Sequence, residues 1–427
     1  MHVHMTIGRS YERESDEPGP IPCAGSDSGS GSGPMPAVST REDVSRLKID
    51  FHGLFHSPMS WAHVARHMAA ALDRIGCTVA VKAHRGFCYS PSFAVDPRLE
   101  ALRARCPAGE IAVAFDYPLH YSRLEARFKV GLLVYESTRM PSAWVEAIER
   151  HLDLLVVPSR FCAAAALESG VSPQRLEIVP YGYDASLFRP GPGPRESRLT
   201  RRQAFVFLCV AMPHTRKGLA ELLEAFAQEF RAKEPVRLLI KLPYLPKRGA
   251  AAKPWEIPDL AQDVARFSGA AAGQSRIALL VQALAPEAMP GLYGACHAYV
   301  QPSYGEGFGL SILEAKAMGL PTVVTGWGGH MDFCSEANSF LVDYDRVPAG
   351  SAQYDTGSSE AVMARPTIAS LRRMMRTVYE DPLEAGVRIE RSYRDIASLT
   401  WESAARSLAA RLLERVSCDA PSYRRPF

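Results

Sequence analysis

Two glutamates on either side of a glycine-rich segment are the residues of this sequence whose types and spacing best suit chemistry. Glu306 and Glu314 lie eight positions apart within the stretch 302–315, PSYGEGFGLSILEA. Residues 298–300 are typical of a buried strand and 311–318 of a short helix, so the glycines fall at a strand-to-helix turn. Such a helix N-terminus attracts anions through its unpaired N–H groups and its dipole. We therefore expect a diphosphate here, with the two carboxylates gripping hydroxyl groups on either side of it.

This stretch resembles a known signature. Glu306 and Glu314 correspond to the E-x7-E motif of family 4 retaining glycosyltransferases, and 316–324, KAMGLPTVV, is similar to the continuation of that motif. The resemblance implies an α/β protein of GT-B fold, in which two Rossmann-like domains with doubly wound parallel sheets face each other across a cleft. It also implies transfer of a sugar from a nucleoside diphosphate sugar to an acceptor hydroxyl, with retention of the anomeric configuration. An isolated E-x7-E spacing would indicate only two solvated glutamates, but here the intervening residues match the family as well.

The resemblance assigns roles to the residues of the motif. Glu306 would be the catalytic residue that bonds the hydroxyls of the donor sugar, and Glu314 would hold the ribose. The diphosphate would be bound by backbone N–H groups of the donor-binding residues between them, which are Gly307, Phe308, Gly309 and Leu310.

Similarity to the same family extends to an earlier segment. Residues 178–190, IVPYGYDASLFRP, are similar to the sequence that ends the first domain in these enzymes. We expect Gly182 to permit a turn with positive φ and Phe188 to fill a core. The resemblance therefore covers the chain from about Phe51 to about Arg415.

Lys217 and Arg216 are the cations expected to meet the leaving diphosphate. They lie in PHTRKG, 213–218, between a predicted strand and the first helix of the second domain. Cations at this place neutralise charge that develops when the glycosidic bond breaks. Lys217 matches a lysine of the family pattern, whereas Ala211 or Met212 stands where the family has an arginine. Arg216 either supplies that second charge or is a solvated cation at a helix start.

The first domain departs further from the family pattern. Its loop 52–60, HGLFHSPMS, keeps one glycine where the family has two close to the donor phosphate. We expect this residue, Gly53, to approach the donor. Ser57 or Ser60 either bonds phosphate or caps the helix that starts at Trp61, with the cap favoured for Ser60.

Glu136 stands where the family usually has a histidine, after the predicted strand 130–134. Together with Tyr135 and Pro141 it resembles a branch of the family that has an aromatic-Glu pair followed by proline. As a catalytic candidate, Glu136 either orients the acceptor hydroxyl or stabilises positive charge at the anomeric carbon. Alternatively, it only bonds the backbone of the turn. His120 is a weaker candidate for the same place.

Apolar runs that alternate with amphipathic helices predict a parallel, doubly wound sheet in each half of the chain. A length of 427 residues favours two domains. In chain order we predict a disordered tail (1–47), an N-terminal acceptor domain (48–188), a hinge (189–203), a C-terminal nucleotide-sugar domain (204–385), helices that cross back to the first domain (386–417) and a tail (418–427).

Charge and cysteine content argue against several other classes of protein. The chain has 49 Lys and Arg against 46 Asp and Glu, and a net charge of +3 does not favour nucleic-acid binding. Its nine cysteines include no close C-x-x-C pair, which predicts neither a disulfide framework nor a thiolate zinc site. No apolar run approaches the roughly 18 residues of a membrane helix. We expect a cytoplasmic protein, with a peripheral contact at the inner membrane face left open.

Two patterns in the sequence resemble metal-binding sites, but we assign a metal to neither of them. Asp343 and Asp345 form a D-x-D pattern but follow the predicted core, in what we expect to be a polar loop. His63 and His67 are interpreted as histidines on a helix surface, since no third ligand is near in sequence. Enzymes of GT-B fold do not use a D-x-D metal, so the resemblance implies that neither a metal nor another cofactor is required.

The sequence thus predicts a glycosyltransferase of polysaccharide, glycolipid or other glycoconjugate synthesis, with mannose from GDP-mannose as one example of the donor. Its expected partners are the nucleoside diphosphate sugar and a glycan, lipid-linked or small-molecule acceptor. Two alternatives stay open. One is a sugar-nucleotide epimerase of the same fold, and the other is a non-catalytic GT-B subunit that binds nucleotide sugar or a partner.

Overall fold

Two parallel sheets of six strands each form the framework of the chain in the computed structural model. The structure describes residues 41–85, 89–90, 93, 95–190, 204–245, 256–257, 259–267, 276–350 and 360–418. Most of the predicted segments 1–47, 189–203 and 418–427 therefore lies outside the described residues.

The first sheet is formed by six strands of the N-terminal half: β1 Lys48–Leu54, β2 Thr78–His84, β3 Ile111–Phe115, β4 Phe128–Leu132, β5 Leu154–Val157 and β6 Leu176–Ile178. Their order is β2-β1-β3-β4-β5-β6, and all neighbours are parallel. Strands of such sheets are covered on both faces and are therefore apolar throughout. Accordingly, β3 is buried at every position.

The second sheet repeats this arrangement with β7 Phe205–Val210, β8 Val236–Leu242, β9 Ile277–Val281, β10 Ala298–Gln301, β11 Thr322–Thr325 and β12 Phe340–Val342. The order is β12-β11-β10-β7-β8-β9, again with parallel neighbours. The strand order reverses between β7 and β10, and the loops after these two strands diverge there. Parallel α/β sheets bind their ligands at such a point.

Helices cover both sheets. In the described residues they are α1 Arg41–Ser45, α2 Ser60–Ile75, α3 Pro97–Arg103, α4 Ser142–His151, α5 Arg160–Glu168, α6 Leu219–Glu229, α7 Leu260–Phe267, α8 Met289–Gly294, α9 Leu310–Ala317, α10 Ile368–Glu380, α11 Pro382–Ile396 and α12 Trp401–Cys418. Within the described residues, no helix combines the length and the apolar character that a membrane-spanning helix needs.

Two boundaries differ from those predicted from the sequence, the end of the N-terminal tail and the bounds of one strand. The segment expected to be a disordered tail up to residue 47 already includes α1, and Val44 and Leu47 are buried in the core. The strand expected at 130–134 is β4, which begins at Phe128 and ends at Leu132. Apolar residues continue past the end of β4, so composition alone did not mark where the strand pairing stops.

The loop expected around Asp343 and Asp345 is instead a small antiparallel sheet. Strand β13, Tyr344–Pro348, pairs with β14, Val362–Pro366. The Asp343 carboxylate accepts a hydrogen bond from Arg373 at 2.9 Å. Because the second strand lies well over ten residues further along the chain, the hairpin has no short turn signal in the sequence.

The chain returns to its first half at the beginning of α12. Helix α11 still packs against α9, so the return comes later than the predicted start at residue 386. Helix α12 then packs along α2, and Thr400 forms an isolated parallel bridge with Tyr183. The first half therefore uses a helix from the far end of the described chain to complete its core.

Gly182 lies at this return point, where close backbone approach requires the absence of a side chain. Its φ is not positive, so the turn expected from sequence is not the reason for glycine. A Cβ atom at Gly182 would lie 2.1 Å from the carbonyl carbon of Thr400 and 2.2 Å from the backbone nitrogen of Trp401. Both are backbone atoms, so a side chain here would displace the start of α12.

We predict that Gly182→Ala lowers the melting temperature by a few degrees, because overpacking of this kind costs roughly 1–3 kcal/mol. Gly386→Ala is the matched control, since a Cβ at this position in α11 meets no atom within 4 Å. That control should raise the melting temperature slightly, because alanine favours a helix more than glycine does. Thermal melts followed by circular dichroism test both, and an unchanged melt for Gly182→Ala would contradict the contact.

Candidate active site

A cavity of about 230 Å³ lies where the carboxyl ends of both sheets face each other. Side chains of both halves line it, including Trp61 and His63 of α2 and Lys241 of β8. Its wall contains every residue predicted for the site except Gly53, namely Glu136, Arg216, Lys217, Glu306, Gly307, Phe308, Gly309, Leu310 and Glu314. The structure therefore brings together predicted residues from three separate segments of the sequence, Glu136, 216–217 and 306–314.

The turn between β10 and α9 has the expected strand-to-helix geometry. The residue before α9 is Gly309, whose φ of 91° is in the left-handed region that favours glycine. Gly309, Leu310 and Ser311 all line the cavity. The N–H groups of a first helical turn have no partner within the helix, so the start of α9 offers donors and a positive dipole end to an anion there.

Gly305 and Gly307 bring this turn into backbone contact with the first half of the chain. A Cβ at Gly305 would lie 2.1 Å from the carbonyl oxygen of Glu136. A Cβ at Gly307 would lie 2.7 Å from the carbonyl oxygen of Tyr135, and its own carbonyl oxygen accepts a 2.6 Å hydrogen bond from Ser159. The absence of side chains at both positions therefore serves the contact between the two halves.

Glu306 is buried and accepts several hydrogen bonds. Its Oε1 accepts from Lys217 Nζ at 2.6 Å and from Ser303 Oγ at 2.7 Å, and also from Gln301 Nε2 at 2.5 Å. Burial alone would raise the pKa of Glu306, but the charges of Lys217 and Arg216 outweigh it and lower the pKa to about 2. Glu306 is therefore a carboxylate throughout the physiological range.

Arg216 joins the two halves electrostatically. Its Nη2 lies 3.0 Å from Oε1 of Glu136, its Nη1 lies 3.6 Å from Oε2 of Glu306, and Nη1 also donates to the carbonyl oxygen of Gly305 at 2.7 Å. The side chain is only 9% exposed. The alternative that Arg216 is a solvated cation is therefore wrong.

Glu136 likewise does more than bond the backbone of its turn. Its buried carboxylate pairs with Arg216 and lines the cavity. His120 lies elsewhere, since its Nδ1 pairs with Asp116 at 3.0 Å and it does not line this cavity. Of the two candidates in the first half, Glu136 is the one that the structure places beside Glu306 and Lys217.

Glu314 is on α9 and lines the cavity. Its Oε2 accepts a 2.9 Å hydrogen bond from Tyr293, and its Oε1 lies 3.9 Å from Nε2 of His63. Burial raises the pKa of Glu314 from its ordinary value of 4.5 to about 7, although the Tyr293 hydrogen bond and the charge of Lys241 oppose this rise. The two glutamates of the motif thus have opposite pKa shifts.

His63 and His67 are not on a solvent-facing helix surface, which corrects the sequence interpretation. Both rings pack against Trp401, with centroid separations of 5.9 Å and 5.2 Å. Burial lowers the pKa of His67 to about 4 and the pKa of His63 well below its ordinary value. The sequence pattern of α2 did not reveal this, because the covering residue comes from α12.

Gly53 and Ser60 also differ from expectation. Gly53 lies within β1, in register with Ala83 and Phe115, and does not line the cavity, since β1 extends further than predicted. Ser60 is the first residue of α2 and lines the cavity, whereas the cap position belongs to Met59 and has no side-chain hydrogen bond. The favoured interpretation of Ser60 as a helix cap is therefore wrong.

Two cations of the cavity were missed from the sequence. Arg66 of α2 donates to the carbonyl oxygens of Phe55 and Ser57 at 2.5 Å and 2.8 Å, which fixes the loop before the helix. Lys241 is buried near the end of β8. A lysine at the carboxyl end of an otherwise apolar parallel strand was an available signal for Lys241, but no local pattern distinguishes Arg66 from an ordinary helix cation.

No group of three His, Cys, Asp or Glu side chains in the described part of the chain is arranged to hold a metal ion. Asp343 pairs with Arg373, and the rings of His63 and His67 pack against Trp401. The charges at the cavity wall are those of the amino-acid side chains described above.

Comparison with known proteins finds a family model that matches part of the second half of the chain. Residues 204–353 match the family model described as Glycosyl transferases group 1. D-inositol 3-phosphate glycosyltransferase of Corynebacterium kroppenstedtii is 27% identical over 239 residues, which cover 50% of this chain and 50% of that protein. The enzyme of the same name from Geodermatophilus obscurus is 28% identical over 304 residues, 68% of this chain and 60% of that protein. The chain thus spans about half the length of the first of these relatives.

Solved structures share the fold across most of the chain. Sucrose-phosphate synthase from Thermosynechococcus elongatus aligns with a TM-score of 0.62 and 17% identity, covering 88% of this chain and all of that one. Anabaena HepE in complex with UDP and glucose aligns with a TM-score of 0.59 and 16% identity, covering 86% and 99%. At these identities the likeness concerns the fold alone, and it confirms the predicted GT-B fold.

We predict that Glu314→Gln stabilises the donor-free protein near pH 8 and has little effect near pH 5. A carboxyl whose pKa is raised on folding contributes stability below its unfolded pKa of 4.5, and this stability is lost as the pH rises through about 7. The gain is of the order of 3 kcal/mol at most. Denaturant unfolding at the two pH values measures it.

Glu306→Gln is the matched control, because its pKa is lowered to about 2 and the sign reverses. The stability that the Glu306 carboxylate contributes is present above pH 4.5 and is lost as the pH falls through about 2. This variant should therefore be destabilised near pH 8. Equal effects of both substitutions at both pH values would contradict the described environments.

Proposed function

We propose that this chain, whose residues 204–353 match the family model Glycosyl transferases group 1 and whose fold is GT-B, transfers a sugar from a nucleoside diphosphate sugar to an acceptor hydroxyl. The observation that carries this proposal is the meeting of Glu306, Lys217 and the start of α9 in one cavity lined by both halves. A paired cation and helix N-terminus suit a diphosphate, and the carboxylates suit hydroxyl groups.

The donor occupies mainly the second half in this proposal. Its diphosphate lies between Lys217 and the first turn of α9, Glu314 accepts hydrogen bonds from the ribose, and Glu306 accepts from the donor sugar. The HepE structures hold UDP and UDP-glucose, which supports a nucleotide sugar as the donor class. Lys217 Nζ donates to Oε1 of Glu306 at 2.6 Å, so in this proposal the diphosphate and Glu306 share the Lys217 ammonium.

Bond cleavage places negative charge on the diphosphate and positive charge at the anomeric carbon. Lys217 and the N–H groups of α9 stabilise the first charge at positions fixed before the reaction. The carboxylates of Glu306 and Glu136 are on the wall where the second charge develops. Retention of the anomeric configuration is part of the proposal through the resemblance of the motif at 306–314.

Donor and acceptor identity follow from a screen. We propose to measure the thermal shift with UDP-, GDP-, ADP- and dTDP-sugars, including GDP-mannose, because this fixes the nucleotide before any acceptor is known. The names of the curated relatives make D-inositol 3-phosphate one acceptor to test. Isomerised sugar nucleotide without acceptor would support the epimerase alternative, and saturable binding without any transfer would support the non-catalytic one.

We predict that a chelator leaves the transfer largely intact. The charge of the leaving diphosphate is met by Lys217 and by the start of α9, so the proposed reaction needs no divalent cation. Product formation with EDTA, and then with Mn²⁺ or Mg²⁺ added, tests this. Loss of turnover with EDTA and recovery with the metal would overturn the prediction and would make Asp343 and Asp345 candidates for a metal site.

We predict different kinetic defects for the two glutamates of the motif. Glu306→Gln should lower kcat by about tenfold or more, since it removes charge from the place where positive charge develops in the transition state. Glu314→Gln should mainly weaken donor binding, because the ribose contact changes little during the reaction. Steady-state kinetics and calorimetric titration with the donor separate these effects.

Circular dichroism of both variants serves as the control that they are folded. Near-native kcat for a folded Glu306→Gln protein would contradict the catalytic role of Glu306. If both variants bind and transfer as the unchanged protein does, the motif is only a turn that places α9, and the proposed function loses its main support.

A further inference from the structure

The charges of the cavity wall do not all cancel. Arg216 and Lys217 are paired with two carboxylates, Glu136 and Glu306, in a network that is neutral as a whole. A diphosphate that binds Lys217 competes there with Glu306, so the pairing reduces the net attraction that the ligand gains from this network. A further cation at the cavity wall adds to the attraction for an anionic ligand.

Lys241 is such a cation. It is 9% exposed, lines the cavity and lies at the second-last position of β8. Within the residues that the structure describes, its ammonium has no hydrogen bond and no ion pair with a carboxylate. Its nearest electrostatic partner is Glu314, whose charge favours the protonated ammonium. A mostly buried lysine whose ammonium has no bonded counterion is costly, which a purely structural role does not explain.

The register of the sheet puts Lys241 beside the end of β7, where the loop that leads to Arg216 and Lys217 begins. Lys241 pairs with Val210 of β7, and its carbonyl oxygen accepts a 3.1 Å hydrogen bond from the backbone N–H of Ala211. Ala211 and Met212 also line the cavity but bring no charge. Strand β8 thus supplies a cation, Lys241, beside the end of β7, where the residues after β7 supply none.

We propose that Lys241 is a ligand of the donor diphosphate and that its ammonium provides the net positive charge that the neutral network of Arg216 and Lys217 lacks. This inference rests on the proposed function and adds a specific residue to it. The ligand class is a nucleoside diphosphate, free or carrying a sugar, and the recognised group is the diphosphate.

The test compares Lys241→Met with the unchanged protein by calorimetric titration of UDP and GDP and of the nucleosides uridine and guanosine. Methionine keeps most of the volume and removes the charge. We expect the affinity for the nucleoside diphosphate to fall about tenfold or more, and the affinity for the nucleoside to stay the same. Lys241→Arg keeps the charge and should retain the affinity within about threefold. Lys129→Met, on β4 and away from the cavity, is the matched control.

Thermal stability supplies a second measurement. Removal of a buried, uncompensated charge should raise the melting temperature of Lys241→Met without nucleotide and shrink the increase that nucleoside diphosphate causes. Lys241→Gln replaces Lys241→Met if the latter fails to fold. Equal weakening of nucleoside and diphosphate, or none, would overturn the assignment of Lys241. If the unchanged protein binds no nucleoside diphosphate, the proposed function itself fails, which is a distinct outcome.

Discussion

The buried network of Glu136, Arg216, Glu306 and Lys217 is the interaction on which the rest of the cavity depends. It links the first half of the chain, through Glu136, with three residues of the second half. The guanidinium reaches both carboxylates only because the glycine-rich turn, with Gly305 at its tip, touches the backbone of the first half. Burial makes each of these charges costly alone, so removal of one partner leaves the others uncompensated.

The same low-dielectric cavity gives the remaining titratable groups their properties. Glu314 has a raised pKa because it has burial without a bonded cation, whereas Glu306 has a lowered pKa because two cations lie close. Lys241 of β8 is close enough to Glu314 of α9 to lower the pKa of that carboxyl, against the larger effect of burial. Buried charges without bonded partners make the folded protein less stable than an apolar cavity of the same shape would. A ligand that neutralises these charges removes this free-energy cost, which adds to the free energy of binding.

Local patterns predicted well what is determined locally. The buried strand predicted at 298–300 is β10, Ala298–Gln301, and the turn before α9 has the geometry expected of its glycines. What failed depends on partners distant in sequence. His63 packs against Trp401 of a helix more than three hundred residues away, and β13 pairs with a strand that starts fourteen residues after β13 ends. Glycine is required at 182 because the backbone of Thr400 lies too close for a side chain, and the residues next to Gly182 in the sequence do not reveal this contact.

Helix α12 has a consequence for the synthesis of the chain. The core beside α2 is filled by residues of α12, and Trp401 at its start is buried against Tyr181. The N-terminal half is therefore incomplete when it leaves the ribosome, and it stays so until residue 418 has emerged. At typical elongation rates this interval lasts roughly ten seconds to a minute. During that time an apolar face of α2 is exposed, so the nascent chain is a natural client for chaperones that bind near the ribosomal exit.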